Sequence, residues 1–483
     1  ISLIVSIALI IVGIAGSFIL QTNSGKTTIR NVTIESESGH TLAMDVYIPE
    51  NATAETPAPA IFVQHGGNNN KEEMQHYCIE LARRGYVAIG VDMYGMGESE
   101  PLPDSEWLTQ GRGLYDAVRY GVTLPYVDTD RVSLLGYSRG GKAAGEALQC
   151  DNDSLNVVKA IFLIHSDPIV RNSEGYTDVY GARDVAVLAD KNDEFFFSEK
   201  ANDNGTYSND ANKYAANLSS PAEYVINNSA QSFLYFGIDP ATTSEQRVAE
   251  TVYEQDYGGK TGSRQIFVSN ETHMAGWWSP LVMNRVLTFF NRVMPTGTAL
   301  SASSYTYTIW NIFKIIALSG LLFALAMALS FIEGTLVIPG LLPGMKLGLA
   351  NIVVMYALFF MGPRQALVLD VLKALFVFLV SGFTAGFLSL CGGLLSLAVM
   401  WVLYYLLPVR PTWFILSVCG ALAHNVGQLL GAGVIISSSL SLYYAPVMLV
   451  LGLVMGALTS VTLRALLPAL GKMGFNTHEN RPE

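Results

Sequence analysis

The sequence has little charge, few cysteines and no concentrated basic region. Only 14% of its 483 residues are charged, whereas soluble domains carry roughly 25%. Its four cysteines form no C-x-x-C pair, and we expect neither a metal nor a cofactor. Free buried thiols are the simplest interpretation of all four, although a disulfide between Cys78 and Cys150 stays open.

The charge that is present is unevenly distributed. Residues 1–300 carry 21 of the 29 Lys and Arg residues and 36 of the 40 Asp and Glu residues, a net charge of −15, while residues 301–483 have a net charge of +4. The acidic first part argues against nucleic-acid binding, which needs a basic footprint. The second part is almost wholly apolar, so the chain is expected to contain two kinds of domain.

The first 20 residues contain no charged side chain. Their length matches the roughly 20 residues with which a helix spans a bilayer core. We predict a transmembrane anchor or signal helix over residues 1–22. The Ala-Gly-Ser sequence at 15–17 is only a weak cleavage signal, which favours an anchor.

Residues 28–297 alternate short apolar β-runs with amphipathic helical stretches, as at 72–84 and 140–149. This alternation predicts an α/β domain, with a doubly wound, mostly parallel sheet covered by helices. The polar stretch 199–220 is interpreted as an insertion or the edge of a lid. The predicted strands include residues 60–64, 87–92, 132–135, 160–164, 185–188 and 265–268.

A nucleophile motif follows the third of these strands. Gly136-Tyr137-Ser138-Arg139-Gly140 has the G-x-S-x-G pattern, with an apolar run before it and a small-residue helical stretch after it. Glycines at both ends allow a sharp strand-to-helix turn that exposes the serine hydroxyl. The N-terminus of the following helix would direct N–H groups toward developing negative charge.

A second glycine-containing segment, His65-Gly66-Gly67-Asn68, ends another predicted strand. Glycines let backbone N–H groups approach a substrate carbonyl, so we predict an oxyanion hole here. Its donors would be the N–H of Arg139 and that of Gly67 or Asn68. His65 is interpreted as a structural side chain.

A serine nucleophile needs a base, which a carboxylate orients. The order Ser, acid, His selects His273 as the base, since His165 comes too early for an acid to precede it. Two acids remain open. Asp193 follows an apolar strand and is favoured, while Asp239 is closer in sequence to His273, although residues 221–236 also fit a helix that Gly237 ends.

These motifs resemble those of α/β-hydrolases over residues 30–295, and most closely the dienelactone-hydrolase-like and serine-peptidase-like branches. In those branches a G-x-x-D-E run carries the acid, and residues 189–194 correspond to it with alanine in place of glycine. The resemblance implies hydrolysis of an ester, thioester or amide through an acyl-enzyme. Dienelactone hydrolases themselves have a cysteine nucleophile. The presence of Ser138 therefore argues against a dienelactone as the substrate.

After a Ser/Thr/Tyr-rich linker at 298–308, the sequence predicts an all-α, six-helix membrane domain over 309–470 and a polar tail at 471–483. Several of the stretches are short or rich in glycine, which suits helices packed against one another. The six apolar stretches are 309–332, 347–362, 365–382, 383–407, 412–436 and 442–467.

Polar residues occur inside these apolar stretches, where they are costly. Asp370 and Lys373 are three residues apart and could pair on one helical face, and His424, Asn425 and Gln428 share another. Two interpretations stay open for these residues, namely polar contacts that hold the helices together and a binding or coupling site.

The runs 343–351, ending in Asn351, and 420–428 resemble motifs of the Gx transporter family, whose members are often called heptaprenyl diphosphate synthase component I, and 391–396 matches a third. This family is similar to the substrate-binding components of energy-coupling-factor transporters. The resemblance implies uptake of a small molecule, with ATPase and coupling subunits on other chains, because the sequence contains no P-loop. It also contains no DDxxD-like cluster, which disfavours diphosphate synthesis.

The sequence therefore predicts an integral membrane protein of the cell membrane, a serine hydrolase fused to a transporter-like domain. The alternatives are an uptake protein whose hydrolase-fold domain is an idle binding module, and a fusion with two unrelated tasks. The side of the hydrolase stays open. The positive-inside rule favours the cytoplasm. The six predicted helices place only Lys346 on one side of the membrane, and the number of spans puts the hydrolase on the opposite side. Five basic residues are expected on that same side as the hydrolase: Arg364, Arg410, Arg464, Lys472 and Arg481.

Overall fold

The chain forms two compact units in a computed structural model. The first unit is Phe18–Ile309, and the second combines Ile1–Ser17 with Trp310–Glu483. The predicted lid edge at 199–220 lies outside the described residues. The structure describes residues 2–37, 39–102, 109–193, 221–335, 350–406, 411–436 and 445–471.

A mostly parallel nine-stranded sheet organises the first unit. Its strand order is β1-β2-β4-β3-β5-β6-β9-β11-β10. The five pairs from β4 to β11 are parallel, and the outer pairs are antiparallel. The strands of this sheet are β1 Thr27–Glu35, β2 Thr41–Pro49, β3 Ala58–Gln64, β4 Val87–Val91, β5 Val127–Tyr137, β6 Val158–Ile164, β9 Asp184–Asp190, β10 Val252–Asp256 and β11 Thr261–Ser269. The short strands β7 Arg171–Asn172 and β8 Gly175–Tyr176 pair in a separate two-stranded sheet. The predicted α/β sheet is confirmed.

The burial of each strand follows its place in the sheet. All seven residues of β3 and all five of β4 are buried, as expected for parallel strands covered on both faces. The edge strand β1 is mostly exposed along its length, which suits an antiparallel edge. Central strands therefore appear in the sequence as continuous apolar runs, and six of them were predicted to within a few residues.

Helices connect the strands on both faces. The region 221–236 is helical, as a 3₁₀ turn at Pro221–Ile226 followed by α5, and Gly237 adopts a positive φ of 82°. This agrees with the alternative prediction that residues 221–236 form a helix that Gly237 ends. The helices are α2 Gln75–Ala82, α3 Leu114–Gly121, α4 Arg139–Asn152, α5 Asn228–Leu234 and α6 Pro280–Val293.

The segment predicted to be a linker, 298–308, packs on α2 within the first unit. Arg84 donates from Nη2 to the carbonyl oxygens of Ser301 and Ser304, both at 2.8 Å. Glu80 accepts the backbone N–H groups of Thr306 and Tyr307 at 2.6 and 2.9 Å. The segment is thus held by two fully buried, oppositely charged side chains, Glu80 of α2 and Arg84, which lies two residues after the end of that helix.

The second unit is helical, and its described residues contain the six helices expected after residue 309. Three stretches are long and apolar enough to cross a membrane by length and composition, namely Tyr307–Leu329, Pro363–Leu406 and Trp413–Ile435. Most of the basic residues used to predict sidedness lie outside the described residues. The helices are α7 Tyr307–Thr335, α8 Asn351–Phe360, α9 Pro363–Ser381, α10 Phe383–Trp401, α11 Trp413–Ile436 and α12 Ala445–Gly471.

The N-terminal helix α1, Ser2–Gln21, packs against α7 through small residues. A Cβ at Gly13 would lie 2.5 Å from the backbone nitrogen of Ala317, and one at Gly16 would overlap the ring of Phe313. From the other side, a Cβ at Gly320 would lie 3.0 Å from Leu9. Such close approach is typical of helices that associate within membranes. The first helix is therefore a packed member of the second unit.

Candidate active site

The turn between β5 and α4 places Ser138 in a strained backbone conformation. Ser138 has φ 54° and ψ −115°, a region that non-glycine residues adopt mainly at functional sites. A Cβ at Gly136 would overlap the backbone of Gly140, and a Cβ at Gly140 would overlap the carbonyl oxygen of Gln64. Both glycines of the motif are therefore required by close backbone contacts, as expected for a nucleophile elbow.

Ser138, His273 and Asp193 form a continuous chain of contacts. His273 Nε2 lies 2.9 Å from Ser138 Oγ. The other ring nitrogen, Nδ1, lies 3.0 and 2.9 Å from the two carboxylate oxygens of Asp193. These are the separations at which an imidazole can accept a proton from a hydroxyl while a carboxylate fixes its tautomer.

The sheet topology explains why these three residues meet. Ser138 follows β5, Asp193 follows β9 and His273 follows β11, and all three strands run parallel in one sheet. The carboxyl ends of parallel strands lie at one edge, where the ligands of open α/β sheets bind. Asp193 is fully buried and His273 is 7% exposed, so the acid is shielded from water and the base lies near the surface.

Asp239, the other candidate acid, lies elsewhere. It is exposed and caps a short 3₁₀ helix, Pro240–Thr242, by accepting the N–H of Ala241 at 2.9 Å. A cap of this kind is a local structural role. The structure does not bring Asp239 to His273.

The segment His65–Asn69, here called the oxyanion loop, lies beside the nucleophile turn. A Cβ at Gly67 would be 3.1 Å from Nε of Arg139, so the two residues predicted to supply N–H donors are neighbours. Burial together with the positive charge of Arg112 lowers the pKa of the half-buried Arg139 guanidinium. The loop and the first turn of α4 thus border one space next to Ser138.

His65 anchors the start of the oxyanion loop. Its Nε2 accepts the N–H of Met93 at 3.0 Å, so Nδ1 carries the proton and donates to the carbonyl oxygen of Gly66 at 2.7 Å. Burial lowers the pKa of His65 to about 4. A neutral, fully buried imidazole with both nitrogens engaged suits the structural interpretation of His65.

Glu73 holds the same loop from below and was not singled out by the sequence. Its Oε2 accepts the N–H of Gly66 and its Oε1 accepts Nδ2 of Asn69, both at 2.7 Å. The residue is 9% exposed, and burial raises the pKa of its carboxyl to about 7. The hydrogen bonds from Gly66 and Asn69 only partly oppose this effect.

A second imidazole–carboxylate pair lies next to the first. His165 Nε2 is 2.5 Å from Asp190 Oδ2, a close contact without the alignment of a hydrogen bond, and Nδ1 is 4.0 Å from Asp193. The rings of His165 and His273 are 5.0 Å apart. His165 follows β6 and Asp190 ends β9, and these two strands are adjacent in the sheet. The sequence shows each residue at a strand end but does not show that the two strands are neighbours.

Three of these side chains could each offer a ligand atom to a metal ion. The ligand atoms of His165, Asp193 and His273 lie within 4.8 Å of one another. Two of the three side chains are already engaged in the chain of contacts with Ser138. We therefore do not assign a metal to them.

Two charged residues of the helical second unit, here called the membrane unit, lie in a buried network. Lys373 Nζ lies 2.6 Å from Asp370 Oδ1 and 2.6 Å from Asn351 Oδ1. Asp370 is fully buried and Lys373 is 2% exposed. The spacing of Asp370 and Lys373 correctly predicted their pairing, and the structure adds Asn351 from the neighbouring helix.

The other predicted polar residues lie on α11. His424 Nε2 is 2.6 Å from Nε2 of Gln428, and Asn425 donates from Nδ2 to the carbonyl oxygen of Met448 at 2.5 Å. Consecutive glycines of α10 make room for the ring of His424 and for the carboxylate of Asp370. A Cβ at Gly392 would lie 2.7 Å from the His424 ring, and one at Gly393 would overlap the carboxylate of Asp370.

All four cysteines are free thiols. The open alternative of a disulfide between Cys78 and Cys150 is therefore not realised.

Two family models match this chain. The model described as X-Pro dipeptidyl-peptidase (S15 family) matches residues 38–305. The model described as heptaprenyl diphosphate synthase component I matches residues 322–466. The matches fall on the two parts that differ in charge and hydropathy.

Individual relatives are more distant. An uncharacterized protein of Pseudomonas aeruginosa is 30% identical over 159 residues, which are 32% of this chain and 42% of that protein, so the chain spans less than half the length of this curated relative. The crystal structure of a hypothetical protein from the same species covers 56% of this chain and 95% of its own, with 14% identity and a TM-score of 0.36. A dienelactone hydrolase-like promiscuous phosphotriesterase from metagenomic libraries covers 60% and 99%, with 15% identity and a TM-score of 0.34. An epoxide hydrolase mutant of Vigna radiata covers 30% and 41%, with 20% identity and a TM-score of 0.25.

Replacing Glu73 with glutamine is expected to change how stability depends on pH. Because burial raises the pKa of Glu73 from 4.5 to about 7, the folded protein binds this proton more tightly than the unfolded chain does. The wild type therefore loses stability as the pH rises from about 4.5 through about 7. Glu73→Gln lacks this loss, so its free energy of unfolding relative to the wild type should increase by about 3 kcal/mol across that window.

Thermal unfolding of the detergent-solubilised full chain, followed by tryptophan fluorescence at several pH values, measures this difference. Glu72→Gln is the matched control, since the Glu72 side chain is 44% exposed. Unfolding temperatures that change in parallel with pH for the wild type and Glu73→Gln would contradict the assignment of a buried, costly carboxylate.

Proposed function

The chain belongs to the X-Pro dipeptidyl-peptidase (S15) family, and from that premise we propose that it is a membrane-bound serine hydrolase that cleaves an ester, thioester or amide through an acyl-enzyme. The observation that carries this proposal is the 2.9 Å separation between Ser138 Oγ and His273 Nε2, with Asp193 on the opposite ring nitrogen. The three side chains come from three different strand ends.

Each group has a definite role in the proposed reaction. Ser138 Oγ attacks the carbonyl carbon, and His273 Nε2 takes the hydroxyl proton and then passes it to the leaving group. Asp193 keeps the proton of the neutral ring on Nδ1 and stabilises the imidazolium that forms. Water then attacks the acyl-enzyme, giving one proton to His273, which returns it to Ser138 as the acid is released.

The oxyanion loop supplies the second requirement. Negative charge develops on the carbonyl oxygen, and preorganised N–H donors stabilise it. The N–H groups of Gly67 and Arg139 are the proposed donors, which the close approach of these two residues supports. Asn68, with a positive φ of 59°, turns the loop at this point and is the alternative to Gly67.

Labelling with a fluorophosphonate probe should separate this enzyme from an idle binding module. We expect the folded full chain to be labelled at Ser138 and labelling to be abolished in Ser138→Ala, because the Ser138 hydroxyl lies 2.9 Å from the imidazole of His273. Ser154→Ala, at an exposed position of the same unit, is the control. A folded wild type that resists the probe would favour the binding-module alternative.

The two candidate acids predict different kinetics. Asp193→Asn should lower kcat for a p-nitrophenyl ester by about 10³–10⁴-fold, because an amide no longer holds the productive tautomer of the histidine. Asp239→Asn should leave kcat within about twofold, since Asp239 only caps a surface turn. The reverse ranking, measured on purified variants under one set of conditions, would transfer the role to Asp239.

For the membrane unit, a second function is favoured by one observation, the buried network of Lys373, Asp370 and Asn351. Charged groups within apolar helices are costly and mark binding or coupling sites more often than they stabilise. We propose uptake of a small molecule at this network, within a lipid bilayer and with ATPase and coupling subunits on other chains. The match to heptaprenyl diphosphate synthase component I supports the same unit boundaries.

This second function predicts loss of a bound small molecule in a variant that remains folded. Asp370→Asn combined with Lys373→Met removes both charges and so avoids leaving one buried ion unpaired. Small molecules extracted from the purified wild type and double variant are compared by mass spectrometry, with the exposed Lys314→Met as control. Identical extracts from both proteins would favour the interpretation of the network as a helix–helix contact.

A further inference from the structure

We propose that Glu73 is a positioning residue that sets the geometry of the oxyanion loop. This inference rests on the proposed serine hydrolase and adds a residue that acts through the loop rather than on the substrate. Glu73 lies in the 3₁₀ turn Lys71–Met74, directly before α2. It is eight residues after His65, where the oxyanion loop begins at the end of β3.

The contacts of Glu73 fix two points of the loop. Its two carboxylate oxygens accept hydrogen bonds from the N–H of Gly66 and from Nδ2 of Asn69, both at 2.7 Å. Asn69 in turn accepts the N–H of Asn70 through Oδ1 at 3.1 Å. The residues between these points are Gly67, whose N–H is one of the two proposed oxyanion donors, and Asn68, the alternative to Gly67.

The surroundings of Gly66 leave little room for another arrangement. A Cβ on Gly66 would lie 2.8 Å from the Tyr137 ring and 3.2 Å from Glu73 Oε2. Tyr137 precedes the nucleophile and donates its hydroxyl to the carbonyl oxygen of His273 at 2.7 Å. The Gly66 peptide therefore lies between Glu73 and Tyr137, and Tyr137 also contacts the backbone of His273.

Burying a carboxylate at this position costs folding free energy, so its presence is not explained by stability alone. Among the described residues no lysine or arginine forms an ion pair with Glu73, and the nearby Lys71 directs its Nζ to Asp92 and Glu98 instead. A neutral side chain could satisfy the Gly66 N–H without burying a charge. Only an acceptor with two anionic oxygens serves both Gly66 and Asn69 strongly, which is the requirement of a loop held at two points.

The groups that face Glu73 define the expected pH response. Gly66 and Asn69 contribute N–H donors from the loop, and Tyr137 comes from the end of β5. Tyr77 of α2 also lies nearby, and its pKa is raised above the usual value mainly by burial, with a small contribution from Glu73. Tyrosines stay neutral across the neutral range, so Glu73 itself is the group in this set that ionises there. Protonation, below about pH 7, puts a hydrogen on one of the two acceptor oxygens and weakens the hold on the loop.

The test compares Glu73→Ala and Glu73→Gln with the wild type, using p-nitrophenyl ester turnover by the full chain in detergent. We expect Glu73→Ala to lower kcat by about 10²-fold, the effect of losing one oxyanion donor, while KM changes by less than about threefold. Glu73→Gln keeps an acceptor for Gly66 and should recover most of this loss. Glu72→Gln should behave as the wild type.

The pH dependence gives a readout that a merely structural role would not move. The ratio of wild-type to Glu73→Gln kcat should rise as the pH increases through about 7, because only the wild type gains an anionic acceptor there. A constant ratio would overturn the inference. If Glu73→Ala does not fold, this ratio decides the question alone.

The two levels of the proposal fail in different ways. A wild type without fluorophosphonate labelling or ester turnover removes the serine hydrolase, and the positioning role falls with it. An active wild type whose kcat is unchanged by Glu73→Ala overturns only the role of Glu73.

Discussion

The first turn of α4 and the end of β3 meet with no side chain between them, and the site depends on this contact. A Cβ on Gly140 would lie 2.5 Å from the carbonyl oxygen of His65 and would overlap that of Gln64. Because the two backbones touch, the loop that follows β3 and the serine that precedes α4 border the same space. The strained backbone of Ser138 is maintained by the same packing, since relaxing the turn would separate α4 from the sheet. The proposed nucleophile and the proposed oxyanion donors are therefore positioned by one backbone contact.

Several ionisable side chains are buried around this contact. Asp190, Asp193 and His165 are nearly or fully buried at the ends of adjacent strands, and Glu73 lies under the oxyanion loop. Burying a carboxylate costs free energy unless partners compensate, and each of these groups has a partner that belongs to the site. Strand ends of a parallel sheet concentrate such groups at one edge, so the cost to stability is confined to the region where fixed charge and orientation favour catalysis.

How much of this could be predicted depends on how local each signal is. Gly136, Ser138 and Gly140 are consecutive on a strand–helix boundary, and chain order was sufficient to select His273. The choice between Asp193 and Asp239 required knowing that β9 lies beside β11, which periodicity does not determine. The pair of His165 and Asp190 depends on the pairing of β6 with β9, and Glu73 on the path of a loop. These residues were missed because their partners are distant in sequence or held by backbone atoms, which leave no pattern.

In the membrane unit, glycines of a neighbouring helix make room for buried polar side chains. The Asp370 carboxylate is also paired with Lys373, so free space and an opposite charge act together. Gly393 admits the carboxylate of Asp370 and Gly392 admits the ring of His424. Asp370 and Lys373 were predictable from their three-residue spacing, since helix geometry alone puts them on one face. The glycines were visible only as helix-packing residues, because which side chain enters the space above a glycine is decided by the neighbouring helix. A substitution of Gly393 by alanine would therefore act on the buried ion pair without changing either charge, which makes the glycine as specific a part of that network as the carboxylate it receives.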